Sequence, residues 1–262
     1  MTSAGPQFIS SAANPLFKDL RRLAQDSTAY RKQGRIWLEG EHLCRAALEH
    51  GMQPAIAVFA QAYWEATSVE WSVSIGGAKR VVLADALFNG LSALESPAHM
   101  GFVLDLPQAP QIHPDAPSVI LERVQDAGNV GAILRSAAAF GFRQVIAVKG
   151  TAALWSPKVL RAGMGAHFGM QLIESVEVAA IESLSVPIVA TSSHAGELLH
   201  KTRLPWPCAW ALGHEGQGIG AELAARAALT VRIAQPGGEE SLNVASAAAI
   251  CLHASATGAS FQ

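Results

Sequence analysis

The chain has 262 residues, 50% hydrophobic and 15% charged, with a formal net charge of −2. That length and apolar content can fill two cores, and the near balance of charge excludes a nonspecific polyanion binder. Three scattered cysteines (Cys44, Cys208 and Cys251) form no Cys-x-x-Cys pair, which excludes a structural zinc or a disulfide framework and fits a reducing compartment.

The opening residues, MTSAGPQFIS, lack the basic and continuous apolar stretches of a signal peptide, and no run of about 20 apolar residues could span a bilayer. A soluble cytoplasmic protein without a metal site is expected. NPLFKDLRRLAQ and EGEHLCRAALEHG have the spacing of amphipathic helices, the second closed by Gly51. PAIAVFA, SVSI and RVVLA read as short strands, so residues 1–110 form a small α/β domain. Within it Lys18, Arg21, Arg22, Arg31, Lys32 and Arg35 face only Asp19 and Asp26. This basic cluster is a candidate RNA contact, although most clusters of this size are solvated faces. A second group without acids follows at Arg135, Arg143, Lys149, Lys158 and Arg161. Five prolines in segment 96–118 mark the boundary with a second domain, 111–262.

From 118 onward, strand candidates at 118–124, 144–149, 186–191, 208–212 and 229–234 alternate with helix candidates at 129–141, 156–165, 176–184, 219–228 and 242–257. Continuous apolar strands between helices predict a parallel sheet covered on both faces, with ligands bound beyond the strands' carboxyl ends. Three loops lie there. In DAGNVGAILRSA, Asn129 reads as the helix N-cap and Gly128 permits the turn before it. Val130, Ile133, Leu134, Ala137 and Ala138 form the apolar stripe, and Arg135 lies off it. A helical side chain leans toward the N-terminus, so Arg135 reaches back over Gly131 to the positive helix start, where an anion is favoured. A surface arginine beside an ordinary cap is the plainer alternative.

The second loop, ALGHEGQGIGAE, packs four glycines into eight residues after an apolar strand. GQGIGA matches the G-x-G-x-x-A form of a dinucleotide fingerprint, with Glu239 or Glu240 as the ribose acid, so an NAD-binding enzyme stays open. The match comes late in the chain, whereas that fingerprint opens its domain. The third loop, AQPGGEESLNVASAAAICLHA, places Ser241 and Asn243 at the start of a helix lined with alanines, suited to a tight core or a dimer face.

Together the three loops resemble the SpoU (TrmH-type) RNA 2′-O-ribose methyltransferases of the SPOUT superfamily. The N-x-G-x-x-x-R motif falls on Asn129, Gly131 and Arg135, and G-x-E-x-x-G-[IL] on Gly213, Glu215, Gly218 and Ile219. S-L-N-V-[SA] falls on Ser241, Leu242, Asn243, Val244 and Ala245. The likeness covers residues 118–258, and the first half resembles an L30e-like substrate-binding domain through NPLFKDLRRL and WLEGEHL. The chain departs from the family's Asp-Pro at Asp126, Ala127 and Gly128, and carries His253 where an aromatic is common.

The resemblance implies a trefoil-knotted C-terminal domain, a homodimer, S-adenosylmethionine as cofactor, and ribosomal RNA rather than tRNA as substrate. It implies that Gly213, Ile233 and Leu242, with Leu212, Gly218 and Ile219, hold the cofactor. Arg135 becomes the catalytic arginine, surrounded by Asn129, Glu215, Ser241 and Asn243. A non-catalytic RNA-binding protein is the other alternative, against which this intact set argues. A guanidinium is a poor base, so phosphate grip and alkoxide stabilisation suit Arg135 better than proton abstraction.

Overall fold

The computed structural model describes residues 5–92, 96–193, 195–237 and 242–259. The chain divides into two compact units. One comprises the residues up to Gln108 together with Trp155–Phe168; the other comprises Ala109–Leu154 and the residues from Gly169 onward.

In the first unit the chain runs β1 (Gln7–Ile9), α1 (Pro15–Gln25), α2 (Ala29–Gln33), β2 (Arg35–Glu39), α3 (Glu41–Glu49), β3 (Ile56–Ala60), α4 (Gln61–Ser74), β4 (Lys79–Leu83), α5 (Asp85–Asn89) and β5 (Met100–Asp105). Its described strands form one mixed sheet in the order β1-β4-β3-β5-β2. Helix α1 starts where Asn14 Oδ1 accepts the backbone N–H groups of Leu16 (2.9 Å) and Phe17 (3.4 Å), with Pro15 preorganising the first turn. It buries Phe17, Leu20, Leu23 and Ala24 and exposes Lys18, Arg21 and Arg22.

Two expectations change in this unit. SVSI is the end of α4 rather than a strand, because Trp64 and Trp71, two helical turns apart, bury one face of a helix that continues through it. The proline-rich segment also contains β5, whose buried MGFVL lies between β3 and β2.

The second unit starts with β6 (Ser118–Glu122), α6 (Ala127–Ala139) and β7 (Gln144–Val148). The chain then enters the first unit as α7 (Pro157–Gly163), which packs on β2. There Arg161 Nη1 donates to Glu39 Oε2 at 3.1 Å, and the Glu39 side chain is only 2% exposed. The second unit resumes with β8 (Gln171–Val176), β9 (Ile188–Thr191), β10 (Glu197–Leu198), β11 (Ala209–Gly213), α8 (Ala221–Ala224), β12 (Leu229–Arg232) and α9 (Val244–Ala259).

Among the described residues these strands form a seven-stranded sheet, every pair parallel, in the order β10-β12-β9-β11-β6-β7-β8. The residues of β6, β7 and β11 are buried throughout, as a strand covered on both faces requires. From β6 the chain steps to β7 and β8, then crosses to β9 and to β10 at the far edge, and β11 and β12 fill the places between β9 and β6 and between β10 and β9. The strand order therefore switches between β6 and β11, where an open parallel sheet leaves a crevice at the carboxyl ends. The predicted helix at 176–184 is instead a short 3-10 segment, Val178–Ser183, and the one at 219–228 shrinks to α8.

Candidate active site

Strands β6 and β11 are paired in register, Leu121 with Leu212 and Glu122 with Gly213, so the loops after them leave the sheet side by side. In the first loop the helix begins two residues earlier than expected. Asp126 is the N-cap, and its Oδ1 accepts the Asn129 backbone N–H at 2.8 Å. Asn129 is the third residue inside α6, and its side chain is thereby released from capping. Val130, Gly131, Ile133, Leu134 and Ala137 form the buried face of α6, and Arg135 is exposed.

The third loop supplies the other half of the arrangement. Asn243 caps α9: its Oδ1 accepts from the backbone N–H of Ala245 (2.9 Å) and Ser246 (3.2 Å). Only its amide nitrogen remains to face outward, and this donates to Asn129 Oδ1 at 2.9 Å. Asn129 must then turn its own amide nitrogen the other way, where it donates to Glu215 Oε1 at 3.2 Å. Glu215, an acceptor when ionised, ends the series. One hydrogen-bonded line therefore runs from the third loop through the first to the second.

The second loop is held tight by its backbone. His214 and Gly218 exchange two hydrogen bonds, N–H to O at 3.0 and 2.8 Å, closing a loop of three residues between them. A Cβ at Gly213 would fall 2.1 Å from the Gly218 carbonyl carbon, so only glycine fits there, and Gly218 adopts φ +66°. Leu212 is buried in β11, Ile219 packs against the core of the sheet, and Ile233 is half-buried just after β12. Leu242 is 40% exposed. Ser241 lies outside the described residues, and the Arg135 side chain has no hydrogen bond or ion pair with any described residue.

Sequence reasoning missed several groups at this end of the sheet. Glu122, buried at the end of β6, accepts the Gly220 backbone N–H. Arg123 adopts φ +59°, donates its backbone N–H to Thr151 Oγ1 at 3.0 Å, and reaches Gln217 Oε1 at 3.2 Å. The available signal was the pair of charges ending the apolar run SVILERV. The cysteines take no part: burial pushes the Cys208 thiol up to about 11 and the Cys251 thiol up to about 12.

The six basic residues at 18–35 are all exposed on the first unit; Arg35 also pairs with Asp105 at 3.4 Å. Of the second basic group, Lys149 pairs with Glu177 and Arg161 with Glu39, so it is not a uniform cationic patch.

The sequence profile described as the SpoU rRNA Methylase family matches residues 116–253, which hold every element of this site. The chain belongs to the SpoU rRNA methylase family. It is 28% identical, over 94% of its own length and 97% of the relative, to the Bacillus subtilis 23S rRNA (guanosine(2553)-2′-O)-methyltransferase RlmP. An uncharacterized tRNA/rRNA methyltransferase of Synechocystis is 31% identical over 94% of this chain and 92% of the relative. Among solved structures, the AdoMet-bound rRNA methyltransferase from Sinorhizobium meliloti superposes with a TM-score of 0.81 at 27% identity, covering 95% of this chain and 97% of that one. The SpoU family chain is thus matched along nearly its whole length, both units included.

Proposed function

We propose that this chain transfers the methyl group of S-adenosylmethionine to a ribose 2′-hydroxyl of RNA, and of ribosomal RNA in preference to tRNA. The observation that carries the reading is the hydrogen-bonded line Asn243–Asn129–Glu215, which draws all three loops to one place beside the helix bearing Arg135. The relatives' names, a 23S rRNA 2′-O-methyltransferase and an AdoMet-bound rRNA methyltransferase, support substrate and cofactor.

The residues present suit that cofactor. Gly213 and Gly218 give a backbone edge with no side chain over it, and Ile219 in the second loop, with Ile233 and Leu242 before and within the third, adds apolar groups that suit a flat purine. Leu212 anchors the edge in the sheet. When bound, S-adenosylmethionine supplies an electrophilic methyl group on a sulfonium.

The chain's own residues must then orient the hydroxyl and steady its developing negative charge, while its proton passes to water. Arg135, exposed and unpaired among the described residues, offers a fork of donors to an RNA phosphate and the nascent alkoxide. Asn129 and Glu215 hold the floor of the site, and Ser241 completes the set. Lys18, Arg21, Arg22, Arg31, Lys32 and Arg35 bind RNA backbone. A homodimer through the alanine-rich α9 and a knotted C-terminal segment belong to the same reading, as does a cytoplasmic location.

The test is methyl transfer from labelled S-adenosylmethionine to ribosomal RNA, followed by mapping of the modified nucleotide. A single 2′-deoxyribose at that nucleotide should abolish acceptance while preserving binding. Methylation of the deoxy-substituted RNA would place the group on the base, and co-purification of a nicotinamide nucleotide would favour an NAD enzyme.

A further inference from the structure

His214 lies next to Glu215, and its side chain makes a contact that the reading above leaves unused. Its Nδ1 lies 3.0 Å from the backbone nitrogen of Gly216. That N–H can only donate, so Nδ1 must be an unprotonated acceptor and the ring proton must sit on Nε2. The contact has the form of an Asx-turn, a side-chain acceptor capturing the N–H two residues on. Glu215 is the residue between its two ends. It is exposed, so no packing holds it, and its only side-chain hydrogen bond among the described residues is the one from Asn129.

The geometry points to His214 as a positioning residue for this site: in its neutral form it sets the turn that aims Glu215 at Asn129. The closure of the loop itself does not depend on the imidazole, because the His214–Gly218 bonds are backbone to backbone. The charged groups around the turn are Glu215 on the loop, Glu122 at the end of β6, bonded to Gly220, and Arg123, bonded to Gln217. An imidazolium has two donors and no acceptor, so protonation releases Gly216 and loosens Glu215. Asparagine can make the same capture without titrating.

This rests on the proposed methyl transfer, and the experiment separates the two. For wild type, His214→Ala and His214→Asn, kcat with RNA and S-adenosylmethionine affinity are measured between about pH 8 and pH 5. His214→Ala should lose about three- to tenfold in kcat with cofactor affinity unchanged. His214→Asn should recover most of that loss and lack the acid-side decline of the wild type. Nitrogen NMR of the intact wild-type protein should show His214 with its proton on Nε2, a readout that needs no activity. A proton on Nδ1, a His214→Asn variant as slow as His214→Ala, or an unchanged acid decline in His214→Asn would each overturn the assignment. Absence of methyl transfer by the wild type would fail the functional reading alone, leaving the NMR result to decide the brace.

Discussion

Asn129 satisfies both ends of its amide in one orientation only, and that orientation is dictated from α9. The polarity gives a prediction. Asn129→Asp keeps an acceptor for Asn243 but sets a carboxylate against Glu215, whereas Asn129→Ala merely removes the link. At neutral pH the aspartate variant should therefore have the lower kcat/KM, and the difference should narrow on acidification as one carboxyl takes a proton; aspartate and alanine variants equally slow at neutral pH, or a difference that does not change with pH, would refute this. Arg135 makes a different demand. Arg135→Ala should cut methyl transfer by orders of magnitude with cofactor affinity near wild type, and Arg135→Lys should not rescue it, since lysine lacks the planar fork. A folded Arg135→Ala protein that no longer bound the cofactor would give the arginine another task. Arg123 carries backbone strain. Its left-handed backbone costs roughly 1–2 kcal/mol, so Arg123→Gly should raise Tm unless the Gln217 bond offsets the gain. The raised Cys208 and Cys251 thiols, buried and protonated at pH 8, should resist alkylation until the protein unfolds.

Elements differ in how plainly they are written in the chain. Strands β6, β7 and β11 are legible as apolar runs because both faces are buried, and β9 nearly so; β12 is legible from its apolar residues although only Val231 is buried. Strand β8 is not: it lies at the sheet edge, with Glu174 half-buried, Ser175 exposed and a register shift against β7, so its apolar pattern is interrupted. The start of α6 was misplaced because Asp126 and Asn129 are both good caps, and only the observed bond to the Asn129 N–H decides between them. The three motif loops were legible from their spacing, whereas their union was not. Asn129 meets Glu215 across 86 positions and Asn243 across 114, distances at which no local periodicity operates. Asp126→Ala should cost about 1 kcal/mol of stability through loss of the cap, read from denaturant unfolding. Gly213→Ala should cost more and also weaken cofactor binding, because its methyl group meets backbone atoms that cannot rotate away.

At the scale of the molecule, segment 155–168 is the notable feature: it leaves the unit that holds the site and is built into the other. Within that unit Arg161 neutralises Glu39, a carboxylate almost fully withdrawn from water. Arg161→Ala should destabilise the protein by roughly 3–5 kcal/mol, well beyond an exposed pair such as Lys149–Glu177, because it strands a buried charge. The path also means that the backbone crosses between the units three times: after Gln108, after Leu154 and after Phe168. A protease cutting in the proline-rich stretch between β5 and β6 would sever one of three tethers. The clipped protein should show two bands on a denaturing gel yet migrate as one particle under native conditions, and its halves should part only in denaturant.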